Sequence, residues 1–467
     1  MDKKLKSKKT LLIVIVLGIT LILAAAGGAY FFLSESPGVE YEPVDKQKET
    51  YNLFNSGLLA VKTGEKWGYI DTQGEFVIEP LYDEADSFSE NGLAVVQVGE
   101  KRGYIDTRGE FVIEPQYASA YEFTADGLAR VEVDEKWGLI DSAGNYVAEP
   151  KFDTMYNFSD GLAAVKVGEK YGFIDTNGKY VVKPKFDYAY RFFDGLALVN
   201  IGEKHGYINT AGKYVVKPKK LEREEGDLDP GVRDFCNGMA AMRIDGKWGF
   251  IDTKGKLAVE AKFDNIMDFQ ACGLAAVEID GKWGFVDRQG NYVVEPAFDK
   301  MPWNGFSDFG LAEVRIGGKG GKWGYIDTNG EFVIEPQFRA AQRFSDSGLA
   351  WVCTDDKKWG CIDASGEFVI EPQSDFSPRE EFDSSGLAWG MVEDEKGDKK
   401  SVYINRNGEI EMNRKVSLIG GFFDDGYDVV EVDGKYGIID TNGEYIAEPQ
   451  FDAIFSRRYF FEEKKED

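Results

Sequence analysis

The chain has 467 residues, 14% of them aromatic, with 54 glycines and only 14 prolines. Aromatic residues suit pleated strands and glycine supplies turn conformations, so this composition favours an all-β fold of many short strands. A formal charge of −27 argues against nucleic acid as a partner, and four cysteines in so long a chain exclude a disulfide scaffold.

The N-terminus predicts a membrane anchor. Residues 1–10 form a basic tail. Residues 11–33 form an uncharged segment that is long enough to cross a hydrocarbon layer of about 30 Å as a helix. Because lysine-rich flanks stay in the cytoplasm, we expect a single-pass plasma-membrane protein with its N-terminus cytoplasmic and the rest extracytoplasmic. A cleaved signal peptide is the alternative, since small residues occur at 24–26. Residues 34–50 are predicted to be a linker.

From residue 51 to residue 455, one pattern recurs about every 35 residues. It runs G-L-A-x-V-x-V, K-W-G-Y-I-D-T-x-G, E-F-V-I-E-P, then Y/F-D and a variable aromatic stretch. A period of this length indicates an array of structural repeats. Ten marker glycines and one degenerate unit around Tyr403 give eleven units, followed by a charged C-terminal tail at 456–467.

Each unit is predicted to form three antiparallel strands. In the first strand Ala94, Val96 and Val98 share one face, which we expect to be the buried one. The glycine of the W-G pair predicts close backbone packing against a neighbouring aromatic side chain. Asp71 and Gly74 predict a tight turn, and the third strand is expected to end at the proline of E-P. The residues assigned to these structural roles are Trp67, Gly68, Asp71, Gly74, Trp137, Gly138, Trp248, Gly249, Trp283, Gly284, Trp323, Gly324, Trp359 and Gly360.

The sequence leaves the closure of the array open. Eleven units exceed the four to eight blades typical of closed propellers, and no strand exchange between the chain ends is evident. We therefore expect an open or superhelical array, with a propeller-like ring as the alternative. Insertions at 219–233, 317–321 and 374–381 are expected to lie in loops on one face.

The ordered recurrence of the G-L-A segment, the W-G-x-I-D core and the E-P terminator resembles the WG-repeat family, also called KWG repeats, of bacterial surface and secreted proteins. The resemblance covers about 400 residues, although Arg102, Tyr171, His205 and Tyr436 replace the tryptophan in some units. It implies an all-β repeat array with interaction roles and no defined activity. The resemblance also implies that the predicted membrane is a bacterial plasma membrane.

No motif for catalysis, a metal or a cofactor is evident. His205 is the single histidine and stands in the tryptophan position, so we expect it to pack. A carboxylate such as Asp71 that recurs in every unit is explained by its turn, whereas a catalytic pair should be singular. We expect no enzyme and no cofactor. Acidic pairs at 227–229 and 424–425 allow calcium binding, with solvated loops as the alternative.

Two pairs of residues depart from the repeat pattern. Cys353 and Cys361 flank a predicted hairpin turn and form either a disulfide or two buried thiols. Trp351 and Trp389 occupy the same outward position of the first strand in consecutive units, where other units carry smaller or charged residues. Exposed aromatic residues in a row stack on sugars or anchor proteins, which predicts a binding platform; packing between units is the alternative.

These observations predict a non-catalytic interaction protein that binds a protein, or alternatively an envelope polysaccharide, through its repeat surface. A structural spacer or scaffold of the envelope without a specific ligand is the second interpretation. An enzyme acting on envelope glycans is the third.

Overall fold

The structure, a computed structural model, describes residues 52–220, 231–301, 305–373, 376–379, 381–382, 386–393, 399–413, 417–418, 423–455 and 460–462. Within these residues the fold is all-β, with no helix and eleven small antiparallel sheets, as the repeat count predicted. The predicted anchor at 11–33, the linker at 34–50 and the acidic pair at 227–229 lie outside the described residues. None of the described residues forms a helix of the length and apolarity that a membrane span requires.

The sheets are numbered in chain order. Sheets 1 to 4 contain β1 (Leu58–Thr63), β2 (Lys66–Asp71) and β3 (Phe76–Tyr82); β4 (Glu84–Ala85), β5 (Leu93–Val98), β6 (Lys101–Asp106) and β7 (Phe111–Tyr117); β8 (Ser119–Ala120), β9 (Leu128–Val133), β10 (Lys136–Asp141) and β11 (Tyr146–Phe152); β12 (Thr154–Ser159), β13 (Leu162–Val167), β14 (Lys170–Asp175) and β15 (Tyr180–Phe186). Sheets 5 to 8 contain β16 (Tyr188–Phe193), β17 (Leu196–Ile201), β18 (Lys204–Asn209) and β19 (Tyr214–Lys220); β20 (Met239–Ile244), β21 (Lys247–Asp252) and β22 (Leu257–Phe263); β23 (Asn265–Ile266), β24 (Ala275–Ile279), β25 (Lys282–Val286) and β26 (Tyr292–Phe298); β27 (Ala312–Ile316), β28 (Lys322–Ile326) and β29 (Phe332–Phe338). Sheets 9 to 11 contain β30 (Ala340–Ala341), β31 (Leu349–Cys353), β32 (Trp359–Asp363) and β33 (Phe368–Gln373); β34 (Phe376–Pro378), β35 (Leu387–Glu393), β36 (Lys399–Asn405) and β37 (Ile410–Asn413); β38 (Ser417–Leu418), β39 (Tyr427–Val432), β40 (Lys435–Asp440) and β41 (Tyr445–Phe451). The last strands, β42 (Ala453–Phe455) and β43 (Phe460–Glu462), return to sheet 1.

Most sheets therefore have four strands, one more than the sequence predicted. The additional short strand follows the third strand of one repeat and pairs with the first long strand of the next, as Ala85 does with Val96. Each sheet is thus completed by the chain segment that precedes it.

The two ends of the described chain meet in sheet 1. β42 pairs antiparallel with β1, placing Ile454 opposite Val61. The carboxylate of Asp425 accepts hydrogen bonds from the backbone N–H groups of Leu53 at 3.0 Å and Phe54 at 2.9 Å. The eleven sheets therefore close into a propeller-like ring, and the preferred expectation of an open array is wrong. The physical reason is that sheet 1 lacks a preceding repeat, so the tail of the last unit supplies its missing strand.

Hydrophobic cores lie between successive sheets, so both faces of each first strand are buried. Ala94 and Val96 pack in one core with residues of sheet 1, while Leu93 and Val95 pack in a second core with residues of sheet 3. The expectation that only the alanine and valine face is buried is therefore wrong. The two-sided burial follows from the ring, in which every sheet has a neighbour on each side.

The W-G glycine is required by a bulge in the third strand. Trp67 lies opposite Tyr82 and Tyr69 lies opposite Ile78, so β3 contains two more residues than β2 between these pairs. A Cβ atom on Gly68 would lie 2.5 Å from the carbonyl oxygen of Ile78. The close neighbour is thus the third-strand backbone, not an aromatic side chain as predicted. Proline sits within the bulge and does not end the strand, which continues to Tyr82.

The D-T-x-G turn forms as predicted. Asp71 Oδ1 accepts hydrogen bonds from the backbone N–H of Gln73 at 2.9 Å and of Glu75 at 3.1 Å. Gly74 has φ +82°, a conformation that side chains other than glycine rarely adopt. The recurring aspartate is therefore a structural residue of the hairpin.

Candidate interaction surface

The third strand is the edge strand of every sheet, and no strand pairs with its outer edge among the described residues. Its buried residues alternate with exposed ones around the bulge. In β3, Ile78 and Tyr82 are buried while Val77 and Leu81 are 48% and 64% exposed. We call the exposed residues of all eleven third strands the edge surface.

Aromatic contacts join the edge surface from one sheet to the next. The first aromatic residue of a third strand packs edge-on against the last aromatic residue of the preceding third strand, as Phe111 does against Tyr82 with ring centroids 6.2 Å apart. The same contact joins Phe152 to Tyr180 and Phe186 to Tyr214. The edge surface is therefore held in a fixed arrangement between neighbouring sheets.

Four exposed apolar residues lie on the third strands of sheets 1 and 2. We define the Leu81 patch as Val77, Leu81, Phe111 and Val112, which are between 37% and 64% exposed. Every other regular unit carries glutamine, lysine or alanine at the position of Leu81: Gln116, Lys151, Lys185, Lys219, Lys262, Ala297, Gln337, Gln373 and Gln450. Such a cluster of apolar side chains on a surface is typical of a binding site. Sequence reasoning missed it, although the departure at position 81 was a visible signal.

Exposed carboxylates surround the Leu81 patch. Glu79 and Glu114 lie within the same two strands, and Glu75 and Glu110 precede them, with Glu110 in an ion pair with Arg108 at 2.8 Å. The patch therefore combines an apolar centre with an acidic rim, which suits a partner with an apolar anchor and basic surroundings.

The expected row of exposed tryptophans is not formed. Trp351 is only 1% exposed and packs against Phe376 and Phe382, whose ring centroids lie 5.1 and 5.3 Å away. It lies opposite Cys361, where most units have tyrosine or phenylalanine, so the small thiol makes room for the indole. Trp389 is half-buried and packs with Leu387 and Tyr403. Trp351 therefore packs between units, which was the alternative interpretation.

The repeat tryptophans also lie mainly in the sheet contacts. Trp67 and Trp248 are buried, and the other four predicted tryptophans are half-buried. A Cβ atom on any of the six predicted W-G glycines would lie less than 3.0 Å from the backbone of the third strand. These residues pack within and between the sheets and hold the repeat together.

A cluster of titratable groups, also missed from sequence, lies between sheets 8, 9 and 10. Glu313 occupies the position of Trp351 in its own unit and is 7% exposed. Burial raises the pKa of Glu313 to about 8; the positive charge of Arg343 lowers it and the charge of Glu381 raises it. Burial also raises the pKa of Glu381. Among the described residues, one oxygen of this side chain, Glu313 Oε2, has no hydrogen-bond partner. This arrangement favours a protonated Glu313 at neutral pH.

The remaining candidate residues have structural surroundings. His205 is buried, with Nδ1 2.9 Å from Asn200 Oδ1, as its packing role predicted. Asp425, considered as a calcium ligand, instead accepts the ring-closing hydrogen bonds. No group of three or more potential metal ligands occurs within the described part of the chain. Cys353 and Cys361 do not form the considered disulfide: Cys353 pairs with Trp359 across the hairpin and Cys361 with Trp351, so the two thiols do not face each other.

Known proteins and solved structures show only distant similarity to this chain. No curated protein matches the chain. Among solved structures, "Crystal structure of the eukaryotic initiation factor" has a TM-score of 0.37 at 15% identity, covering 71% of this chain and 98% of that one. The computationally designed Ika8 protein has a TM-score of 0.28 at 11% identity, covering 66% of this chain and 99% of that one. BamB from Moraxella catarrhalis also has a TM-score of 0.28 at 11% identity, covering 58% of this chain and 92% of that one. Likenesses at these TM-scores carry no argument about fold or function.

The family assignment rests on the repeats. The family model described as "WG containing repeat" matches nine times, at residues 67–101, 103–137, 137–171, 171–204, 248–283, 283–319, 323–357, 359–392 and 436–459. These matches cover more than half of the chain, and each begins in the middle long strand of one sheet. The chain therefore belongs to the WG-repeat family.

Proposed function

We propose that this chain is a non-catalytic, membrane-anchored interaction protein of the bacterial envelope that binds a protein partner through the Leu81 patch. The observation that carries the proposal is the exposure of Leu81, at 64%, beside three further exposed apolar residues. Leaving these side chains in water is unfavourable, and a partner that covers them gains their burial. The uncharged segment at 11–33 supports the anchor, and the lysines before it support an extracytoplasmic ring.

The acidic rim indicates the chemistry of the partner. Glu79 and Glu114 flank the apolar residues and belong to third strands without a lysine. A partner with an apolar side chain surrounded by lysine or arginine would match this surface. An envelope polysaccharide is less well suited, because the patch contains one aromatic ring for stacking and is centred on aliphatic side chains.

The test compares two matched double variants of the full-length chain. Leu81→Gln with Val112→Gln removes the patch and introduces at position 81 the residue that several other units carry. Val333→Gln with Val369→Gln makes the same kind of change at 44% and 42% exposed positions on sheets 8 and 9. Each tagged protein is cross-linked in intact envelopes and captured after solubilisation in detergent.

We expect one protein to be recovered with the wild-type chain and the control variant, and about tenfold less with the Leu81 variant. Equal recovery with all three would refute the patch as the binding site. Recovery of no specific partner with any of them would favour the structural spacer. Full-length chain that is extracted from membranes without detergent would refute the anchor.

A further inference from the structure

One arc of the edge surface has the opposite charge to the rest of the molecule. Residues 179–186 and 213–220, which contain β15 and β19, carry seven lysines and no acidic residue. The corresponding segments 75–82, 110–117 and 331–338 each carry two glutamates and no basic residue. Residues 162–220 hold eleven basic and five acidic residues, a net charge of +6 in a chain of −27. We define the lysine strip as Lys179, Lys183, Lys185, Lys213, Lys217, Lys219 and Lys220, all of which are exposed.

The fold does not require these charges. The structural ion pairs of units 4 and 5 use other lysines, such as Lys170 with Asp187. Within the described part of the chain, only Lys220 of the strip forms an ion pair, with Glu203 at 2.5 Å. Lys185 lies over the ring of Tyr214, with Nζ 5.5 Å from its centroid. Lys151 and Lys262 repeat this contact, whereas most other regular units carry leucine, glutamine or alanine at that position, so the sheets form without it. The charges of the lysine strip are therefore available to a partner.

Exposed amphipathic residues accompany the lysines. Tyr180, Val181 and Tyr214 are 38–39% exposed on the same two strands. Tyrosine places an apolar ring and a polar hydroxyl at the boundary between water and lipid, and lysine extends its charge toward headgroups while its stem covers apolar surface. Pro184 and Pro218 lack the N–H that an added strand would need, so recognition at this edge depends on side chains.

We propose that the lysine strip docks the ring onto the anionic headgroups of the membrane that holds its anchor. This inference rests on the proposed membrane anchoring and not on the Leu81 patch. The 17 residues at 34–50 span at most about 60 Å when extended, which leaves the headgroups within reach of an anchored ring. Each lysine adjoining an anionic surface adds to the attraction, whereas the acidic segments elsewhere on the edge surface are repelled. Units 4 and 5 therefore face the lipid, and the Leu81 patch is left for a partner.

The experiment uses the full-length chain in nanodiscs of phosphatidylcholine alone or mixed with phosphatidylglycerol. The reactivity of each lysine toward an acylating reagent is measured by mass spectrometry. We expect labelling of the lysine strip to fall about threefold or more in the anionic discs. Labelling of Lys101 and Lys319, which are exposed outside the strip, should not change. Salt at about 1 M, where the screening length is about 3 Å, should abolish the difference.

Two charge-matched variants complete the design. In Lys183→Glu with Lys217→Glu, the protection of Lys219 in anionic discs should be lost, whereas Lys101→Glu with Lys319→Glu should retain it. Equal labelling of the strip in both kinds of disc would overturn the inference. Protection by soluble polyphosphate without protection by anionic lipid would overturn the lipid assignment. If the lysine strip is not protected in anionic discs while partner capture through the Leu81 patch persists, only this inference is refuted. Failure of the chain to insert into the discs would instead refute the anchor.

Discussion

Glu313 provides a quantitative test of the contacts between sheets. Its side chain is buried, and its pKa is raised from 4.5 to about 8, chiefly because burial penalises the charged carboxylate. We take 4.5 as the value in the unfolded chain. The stability that this difference contributes is fully present below about pH 4.5 and is lost as the pH rises through about 8. At 1.36 kcal/mol per pKa unit, the difference corresponds to an upper limit of about 5 kcal/mol in the free energy of unfolding.

Replacing Glu313 by glutamine removes the ionisable group and preserves the shape of a protonated glutamic acid. The free energy of unfolding of the variant relative to the wild type should therefore rise between about pH 5 and pH 9, by on the order of 3 to 5 kcal/mol. Titrating groups that do not interact with Glu313 contribute equally to both proteins and cancel in the difference, whereas Glu381, whose charge acts on Glu313, belongs to the measured effect. Urea unfolding of the full-length proteins in detergent, followed by tryptophan fluorescence at several pH values, measures it.

The matched control is Glu335→Gln, a change at an exposed glutamate on the third strand of the same sheet. It should show no comparable trend with pH. A difference between Glu313→Gln and the wild type that does not depend on pH would refute a protonated, buried Glu313. A variant that becomes less stable relative to the wild type as the pH rises would indicate an ionised Glu313 stabilised by Arg343.

Three further substitutions and one control, Gly127→Ala, test the ring. Gly103→Ala places a Cβ atom 2.6 Å from the carbonyl oxygen of Ile113 and should cost about 2 kcal/mol or more in urea unfolding. Gly127→Ala, with φ +71° and open space around it, should cost only about 1 kcal/mol. Asp425→Ala leaves two backbone N–H groups without their acceptor; we expect a loss of about 1 to 3 kcal/mol and faster hydrogen exchange at 53–54 and 453–455, and unchanged exchange there would contradict the closure. Trp351→Ala empties a buried site and should cost about 3 to 5 kcal/mol, whereas a loss below about 1 kcal/mol would mean that the indole is not packed.

The sequence predicted the features that each unit determines locally. The number of units, the Asp71 turn and the need for glycine at position 68 all follow from residues within one repeat. Ring closure did not follow, because it depends on the pairing of Val61 with Ile454, whose residues lie at opposite ends of the array. The repeat pattern also does not predict whether one face or both faces of a first strand are buried by neighbouring sheets.

The misplacement of Trp351 has a specific physical origin. Judged within its own strand, a tryptophan at this position appeared to project outward. Its cross-strand partner is Cys361, whereas the equivalent Ala60 lies opposite Tyr69. In this unit the large side chain, Trp351, lies on the first strand and the small one, Cys361, on the second, which reverses the usual order. The reversal can be recognised in the sequence once the strand register is known.

The same comparison separates structural departures from functional ones. Trp351 departs from the repeat and is compensated by Cys361, so packing explains both residues. Leu81 and Lys183 depart from the repeat at exposed positions, where no partner in the described part of the chain compensates for them. Because each unit must satisfy the same structural demands, an uncompensated exposed departure has no structural reason to persist. We therefore propose partner binding at the Leu81 patch and membrane docking at the lysine strip, on different arcs of one ring.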